Sequence, residues 1–256
     1  MSMPLFDLTG KVAVVTGGSS GIGRATATAL AQSGAGVVIA GIDGASCIAT
    51  SEALGAAGFQ AMAISCDVRR EEQLTDLVKR VHEHWGSIDI LVCNAGVAPH
   101  AGPLAEASDH DYELTMDVNL RSVMRLCNLV IPGMARRGGG SVVIVSSIAG
   151  VRGNKTLGLY GLSKAANTQL ARNLAIEWGP SNVRVNAVSP GVVTTDFAVS
   201  LTEVPEVAAV RLAKTPLRRF GTPEEVAGAI VFLAAPAGAF ITGHNLIIDG
   251  GTTVSD

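Results

Sequence analysis

The sequence predicts an α/β chain built in three layers: a doubly wound, seven-stranded parallel sheet with helices on both faces. Three observations carry this. Short β-branched runs alternate with longer segments whose apolar residues recur every three or four positions, the pattern of βαβ crossovers. The short runs are continuously apolar rather than alternating, which fits strands covered on both faces. The composition, 48% hydrophobic and only 16% charged in 256 residues, supplies the core that such a sheet needs.

The candidate strands are residues 12–16, 36–40, 60–66, 88–93, 141–146, 183–188 and 245–248. The intervening helical patterns cover residues 23–33, 71–85, 109–137, 160–179 and 223–235. No repeat, low-complexity tract or linker interrupts them, and Gly138-Gly139-Gly140 is a turn into a strand. Residues 1–256 therefore read as one domain.

Charge and cysteines exclude several classes. The net charge is −3, without the basic face a nucleic-acid partner requires. Cys47, Cys66, Cys93 and Cys127 are scattered, with no C-x-x-C pair and no metal spacing, so reduced core thiols in a cytoplasmic setting are expected. Residues 1–8 contain Pro4 and Asp7 and do not resemble a signal peptide. No stretch has the length of a membrane span, and residues 252–256 carry no peroxisomal tripeptide.

After the first strand comes Thr16-Gly17-Gly18-Ser19-Ser20-Gly21-Ile22-Gly23, then a helix. Glycines at 17, 21 and 23 allow a sharp turn and close approach of a ligand. The free N–H groups and positive end of the following helix suit a pyrophosphate. The second strand runs into Gly41-Ile42-Asp43, where a carboxylate about 20 residues past such a loop would read the adenosine ribose. Asp43 either reaches that ribose or is a turn residue. Asp67, after the third strand, is placed to cap the helix that follows.

Tyr160 and Lys164 are four residues apart, so on a helix they share one face. A tyrosine titrates near 10 when free, and a neighbouring ammonium favours its phenolate, so the pair can trade a proton with a carbonyl or alcohol. Ser147 stands 13 residues upstream at a strand end beside Ser146, where a serine either serves the substrate oxygen or caps a turn. Asn119 sits inside a helical segment, where asparagine is a poor helix former and demands a reason.

These motifs together resemble the short-chain dehydrogenase/reductase family, from Leu8 to Gly251. The G-x-x-x-G-x-G loop, Asn94-Ala95-Gly96 (with Cys93 in place of a first Asn), Asn119, Ser147, Tyr160 with Lys164, and Pro190-Gly191-Val192-Val193-Thr194-Thr195 appear in the family's order. The resemblance implies a Rossmann-type fold and an oxidoreductase that moves a hydride between a nicotinamide dinucleotide and a carbonyl or secondary alcohol. It implies a catalytic tetrad of Asn119, Ser147, Tyr160 and Lys164, with Asn119 at a helix kink holding a water for proton relay. The dinucleotide would touch Gly17, Ser19, Ser20, Gly21, Ile22, Gly23, Ile42, Asp43, Asp67, Val68, Asn94, Ala95, Gly96, Tyr160, Lys164, Pro190, Gly191, Val193 and Thr195. The carboxylate usual for NAD is missing, since Gly41 fills its slot. The basic residues usual for NADP are missing too, with Ser20 and Ile42 in their places. With no cation set for a 2′-phosphate except Arg24, the reading leans to NAD and leaves NADP open.

The resemblance also implies a substrate lid at residues 194–219, a homotetramer, and substrate contacts from Ser147, Ala149, Asn154 and Phe197. Residues 97–100 and 148–151 are expected as further pocket walls. The partners expected are a small carbonyl or alcohol, with no nucleic acid, membrane or metal. Three alternatives stay open: a 3-oxoacyl-carrier-protein reductase, which Arg136 and Arg137 would serve; an epimerase or dehydratase of the longer related branch; and a non-catalytic dinucleotide sensor.

Overall fold

The computed structural model describes residues 5–255; residues 1–4 and 256, which the readings of the two termini include, lie outside them. Seven parallel strands form one sheet in the order β3-β2-β1-β4-β5-β6-β7. They are β1 Val12–Thr16, β2 Gly36–Gly41, β3 Ala61–Ser65, β4 Ile90–Cys93, β5 Gly140–Val145, β6 Val183–Pro190 and β7 Asn245–Ile248. The central strands are buried along their length, whereas β3 and β7, at the edges, are only partly covered. The predicted strands are all present, with ends shifted by a residue or two.

Successive residues of each strand feed opposite cores. Val12 and Val14 join the apolar cluster under α3 (Glu71–Trp85), α5 (Ser122–Arg136) and α6 (Gly158–Trp178). Ala13 and Val15 join the one under α1 (Gly21–Gln32), α2 (Gly44–Ala56) and α9 (Pro223–Ala234). This is the period of two expected of a sheet with helices on both faces. All four cysteines are buried and unpaired among the described residues.

Helix starts follow local chemistry. Ser108 and Asp111 form a reciprocal capping box on α4 (Asp109–Met116), and Thr222 and Glu225 form one on α9, whose first residue is Pro223. Gly86, at φ 77°, ends α3 in the left-handed conformation. The segment predicted as one helix over 109–137 is interrupted. A wide π-helical turn, Asp117–Arg121, separates α4 from α5. The Asn119 side chain explains it: its Oδ1 accepts from Val97 N–H at 2.8 Å and its Nδ2 donates to Val97 C=O at 2.9 Å, so a neighbouring loop is held against the turn. Two short helices, α7 (Val199–Thr202) and α8 (Pro205–Ala213), lie between β6 and α9.

The strand order reverses between β1 and β4. In open parallel sheets a ligand crevice forms outside the carboxyl ends of the strands at such a point.

Candidate active site

A cleft of about 260 Å³ opens there. Loops from four strand ends line it: Gly17 and Ser20–Ile22 after β1, Asn94–Gly96 after β4, Ser146–Ala149 after β5, and Gly191–Val193 with Thr195 after β6.

The glycine loop is built for close approach. Gly17 and Gly21 have φ of 61° and 47°, which a residue with a Cβ rarely adopts. A Cβ on Gly23 would lie 2.0 Å from the Gly17 carbonyl oxygen. Asn94 fixes this loop to the sheet by donating through Nδ2 to the carbonyls of Thr16 (2.9 Å) and Gly17 (3.1 Å). The Thr16 hydroxyl in turn accepts from the N–H groups of Asn94 and Ala95. The loop opens onto the first turn of α1, which holds no acidic side chain, so an anion meets an uncompensated helix N-terminus. These residues fit a dinucleotide pyrophosphate.

The second half of the site depends on how closely α6 approaches the 3₁₀ turn Ile148–Gly150. A Cβ on Gly150 would lie 2.5 Å from the Ala165 nitrogen, and one on Gly161 would lie 2.6 Å from the Ala149 oxygen. Glycine at both positions lets the helix sit against the turn, and this sets Tyr160 and Lys164 beside Ser147. The Lys164 ammonium lies 5.5 Å from the centre of the Tyr160 ring and donates to the Val145 carbonyl at 2.8 Å. Ser146, the residue next to Ser147, is occupied differently: its hydroxyl donates to the Lys164 carbonyl at 2.7 Å. Ser147 Oγ accepts from the Ala149 N–H at 3.1 Å. Asn119, fully buried, donates to Ser163 Oγ at 3.0 Å, and that hydroxyl donates to the Tyr160 carbonyl. A Cβ on Gly96 would fall 3.2 Å from Lys164 Nζ and 3.5 Å from Asn119 Oδ1, so these two polar atoms flank one point.

Burial governs the charges. It pushes the Tyr160 phenol up to about 12, with the Ser147 hydroxyl pulling partly back. It brings the Lys164 ammonium down to about 8. The sequence suggested a phenol already drawn toward neutral pH by Lys164. In the protein alone desolvation raises the phenol, and only the Ser147 hydroxyl opposes it. Cys93 and Cys127 are mutually close thiols behind Lys164, and their contact together with burial raises Cys93.

Other sequence candidates are placed as follows. Pro190, Gly191, Val193 and Thr195 line the cleft, as do Ala149, Asn154 and Phe197. The Phe197 ring centre is 6.0 Å from that of Tyr160. Asn154 Oδ1 is committed to its own loop, accepting from the N–H groups of Thr156 and Leu157. Ser19, Gly23, Ile42, Asp43, Asp67 and Val68 lie outside the cleft lining. Ser19 is near the end of β2, its Oγ 3.6 Å from the place a Gly41 Cβ would take.

Asp43 is the N-cap of α2, accepting from Ser46 N–H at 3.2 Å and Ser46 Oγ at 2.6 Å, which holds its carboxyl below the usual range. Asp67 does not cap α3, whose N-cap is Arg70; it pairs with Arg69 at 2.7 Å. Residues 97–100, expected as a wall, are not in the lining, and His100 instead contacts the Pro103 carbonyl. Arg137, a candidate for carrier-protein binding, is engaged with Asp89 and the carbonyls of Gly133 and Ile88. Sequence reasoning missed Arg152, Leu157 and Arg211, all of which line the cleft. Nothing local marks them, since they reach it through tertiary packing.

A doubly wound sheet, a glycine loop at its switch point, and a tyrosine–lysine pair in the same cleft define a dinucleotide-dependent oxidoreductase. Comparison with known proteins agrees. A family model described as "Enoyl-(Acyl carrier protein) reductase" matches residues 17–253. The chain is 38% identical over 244 residues to rabbit (Oryctolagus cuniculus) "Dehydrogenase/reductase SDR family member 4", covering 95% of this chain and 94% of that one. A solved 7α-hydroxysteroid dehydrogenase, complexed with NADH and 7-oxo glycochenodeoxycholic acid, superposes with a TM-score of 0.94 at 34% identity, covering 98% and 97% of the two chains. A gluconate 5-dehydrogenase from Burkholderia cenocepacia J2315, in complex with NADP and tartrate, superposes with a TM-score of 0.96 at 29% identity over the full length of both. The protein belongs to the short-chain dehydrogenase/reductase family. It is an oxidoreductase that moves a hydride between a nicotinamide dinucleotide and a carbonyl or secondary alcohol. Among the described residues, no helix is long and apolar enough to cross a membrane.

Proposed function

We propose that Tyr160 is the general acid and base of this reaction, with Ser147, Lys164 and Asn119 completing the site. The observation that carries this is the convergence of Tyr160, Ser147 and Lys164 on the cleft that the glycine loop also lines. A bound nicotinamide dinucleotide supplies the two-electron donor or acceptor and, when oxidised, a positive charge. The Gly17–Gly23 loop, Asn94–Gly96, and Pro190, Gly191, Val193 and Thr195 would hold it, with Ile42, Asp43, Asp67 and Val68 at its adenosine end.

In the reductive direction Tyr160 gives its hydroxyl proton to the substrate oxygen, and in the oxidative direction it takes that proton back. Ser147 Oγ donates to the same oxygen as charge develops on it. Lys164, with its ammonium beside the phenol, lowers the cost of the phenolate, and the cofactor's charge adds to that effect. Asn119 holds the loop at Val97 and orders the polar space between itself and Lys164, where a relay water would sit. Residues 194–219 act as a lid that excludes water, within a single catalytic domain.

The preferred cofactor is NAD. Support comes from the end of β2, where Gly41 and Ile42 stand and no cation is set for a 2′-phosphate, Arg24 being the nearby candidate to supply one. The substrate is a small molecule with a secondary alcohol or ketone, as the names of the related steroid and sugar-acid enzymes suggest. The four unpaired thiols suit the cytoplasm, and a homotetramer fits exposed apolar side chains such as Leu162 and Ile176 on α6. The test is a fluorescence titration with NADH and NADPH, followed by a panel of alcohols and ketones with the tighter cofactor. Tighter NADH binding and turnover are expected; equal affinities remove the support for NAD, and a panel turned over equally by Tyr160→Phe removes the mechanism.

A further inference from the structure

Two guanidinium groups, Arg152 and Arg211, line the cleft, and neither has a carboxylate partner among the described residues. They come from distant parts of the chain, the turn after Ser147 and helix α8. Their chain segments meet at Thr252. Arg152 donates to the Thr252 carbonyl at 3.3 Å. The Thr215 hydroxyl, four residues beyond Arg211, lies 3.1 Å from both the Thr252 hydroxyl and the Arg211 backbone carbonyl and has one proton to give to either. Thr252 is itself held by its hydroxyl donating to Asp249 C=O at 2.7 Å.

Thr252 lies in the turn after β7. The glycine loop follows β1, and β7 is four strands away in the sheet order, about 19 Å at the usual strand spacing. The Arg152 guanidinium is therefore tied to the β7 side of the cleft, away from the pyrophosphate end, and the Arg211 backbone lies on that same side. The one acid in the lining, Asp196, also lines an adjoining depression with Gly21, Arg24 and Thr195, which places it toward the glycine loop. Leu157, Phe197 and Leu201 contribute apolar side chains to the same lining.

A pair of guanidinium groups bordering an apolar space matches one ligand chemistry: an apolar body ending in a carboxylate, which arginine holds in two parallel hydrogen bonds. Resting on the reading of Tyr160 given above, we propose that the substrate is a hydroxy or keto carboxylic acid. Arg211 and Arg152 bind its carboxylate and so fix which carbon faces the Tyr160 hydroxyl. Arg211 sits on α8, inside the proposed lid, so anion binding would also draw the lid toward the cleft. Both arginines are positioning and specificity residues; neither touches the reacting atoms.

The test separates charge recognition from turnover. Calorimetry on the protein saturated with the tighter-binding reduced dinucleotide measures the affinity of cyclohexanecarboxylate and of its neutral counterpart, cyclohexanecarboxamide. The carboxylate is expected to bind at least about tenfold more tightly, the scale of a charge-assisted hydrogen bond. Arg211→Met and Arg152→Met should each lose that preference, and Arg211→Lys should keep part of it. Tyr160→Phe should keep it fully while losing turnover, so a failed mechanism and a failed anion site give different results. Equal affinity for acid and amide, absence of binding by either, or an unchanged preference in both methionine variants overturns the proposal.

Discussion

Replacing Lys164 by methionine should stabilise the protein near neutral pH while abolishing turnover. Lys164 is 3% exposed, and burial brings its ammonium from 10.5 down to about 8. At about 1.4 kcal/mol per pH unit, keeping that ammonium protonated inside the fold near pH 7 costs about 3 kcal/mol. Methionine removes this cost but also the 2.8 Å bond from Nζ to the Val145 carbonyl, a loss of about 1 kcal/mol. The net gain for the variant near pH 7 is therefore about 2 kcal/mol. The sign of the pH dependence follows from the depressed value. Between about 8 and 10.5 the unfolded chain holds a proton on Lys164 that the folded protein has released, so the contribution of this group to wild-type stability climbs with pH. The advantage of the variant should shrink to about 0.5 kcal/mol near pH 9.5. Denaturant unfolding without dinucleotide, at several pH values below 10, measures both. Staying below 10 matters because Tyr160, raised to about 12, costs stability as pH rises from 10 toward that value. A variant less stable than wild type near pH 7, or a gap that does not change with pH, would show that the ammonium is not held at the cost that its burial implies.

Gly23→Ala places a methyl group 2.0 Å from the Gly17 oxygen, so the loop must shift. Dinucleotide affinity, read by fluorescence, should fall at least about tenfold, the equivalent of about 1.4 kcal/mol. Asn119→Ala removes three hydrogen bonds and leaves the Val97 backbone groups unpaired, so unfolding should show a loss of about 2–3 kcal/mol along with slower turnover. Asp43→Ala removes the α2 cap and should lower the stability read by denaturant unfolding. If Asp43 also reads the adenosine ribose, NADH affinity should drop and NADPH affinity should not.

Much of the fold is legible in the sequence because strands buried on both faces write themselves as uninterrupted apolar runs. Val12–Val15 and Val142–Val145 are examples, and one residue serves the core on each side in turn. The glycine loop and the Tyr160–Lys164 spacing are legible for a similar reason, since each is a local pattern with a local geometric purpose. Ser147 is legible only through its distance from Tyr160, while the glycine contacts at 150 and 161 that bring the two together appear in three dimensions alone. Asn119 signals an irregular helix, but not that the cause is Val97, 22 residues away. Asp43 and Asp67 each have two meanings in sequence: the partners are Ser46 for the first and Arg69 for the second, neighbours that a motif reading passes over. Arg152 and Arg211 are 59 positions apart and share only the cleft lining, so no local pattern could pair them.

The Tyr160 hydroxyl is the group whose removal is most telling. Single-turnover kinetics of Tyr160→Phe on a substrate that wild type accepts, with dinucleotide affinity measured on the same preparation, isolates it. Loss of at least about a hundredfold in rate, with cofactor binding unchanged, is the predicted result. A variant within a few-fold of wild type would mean that the proton comes from elsewhere.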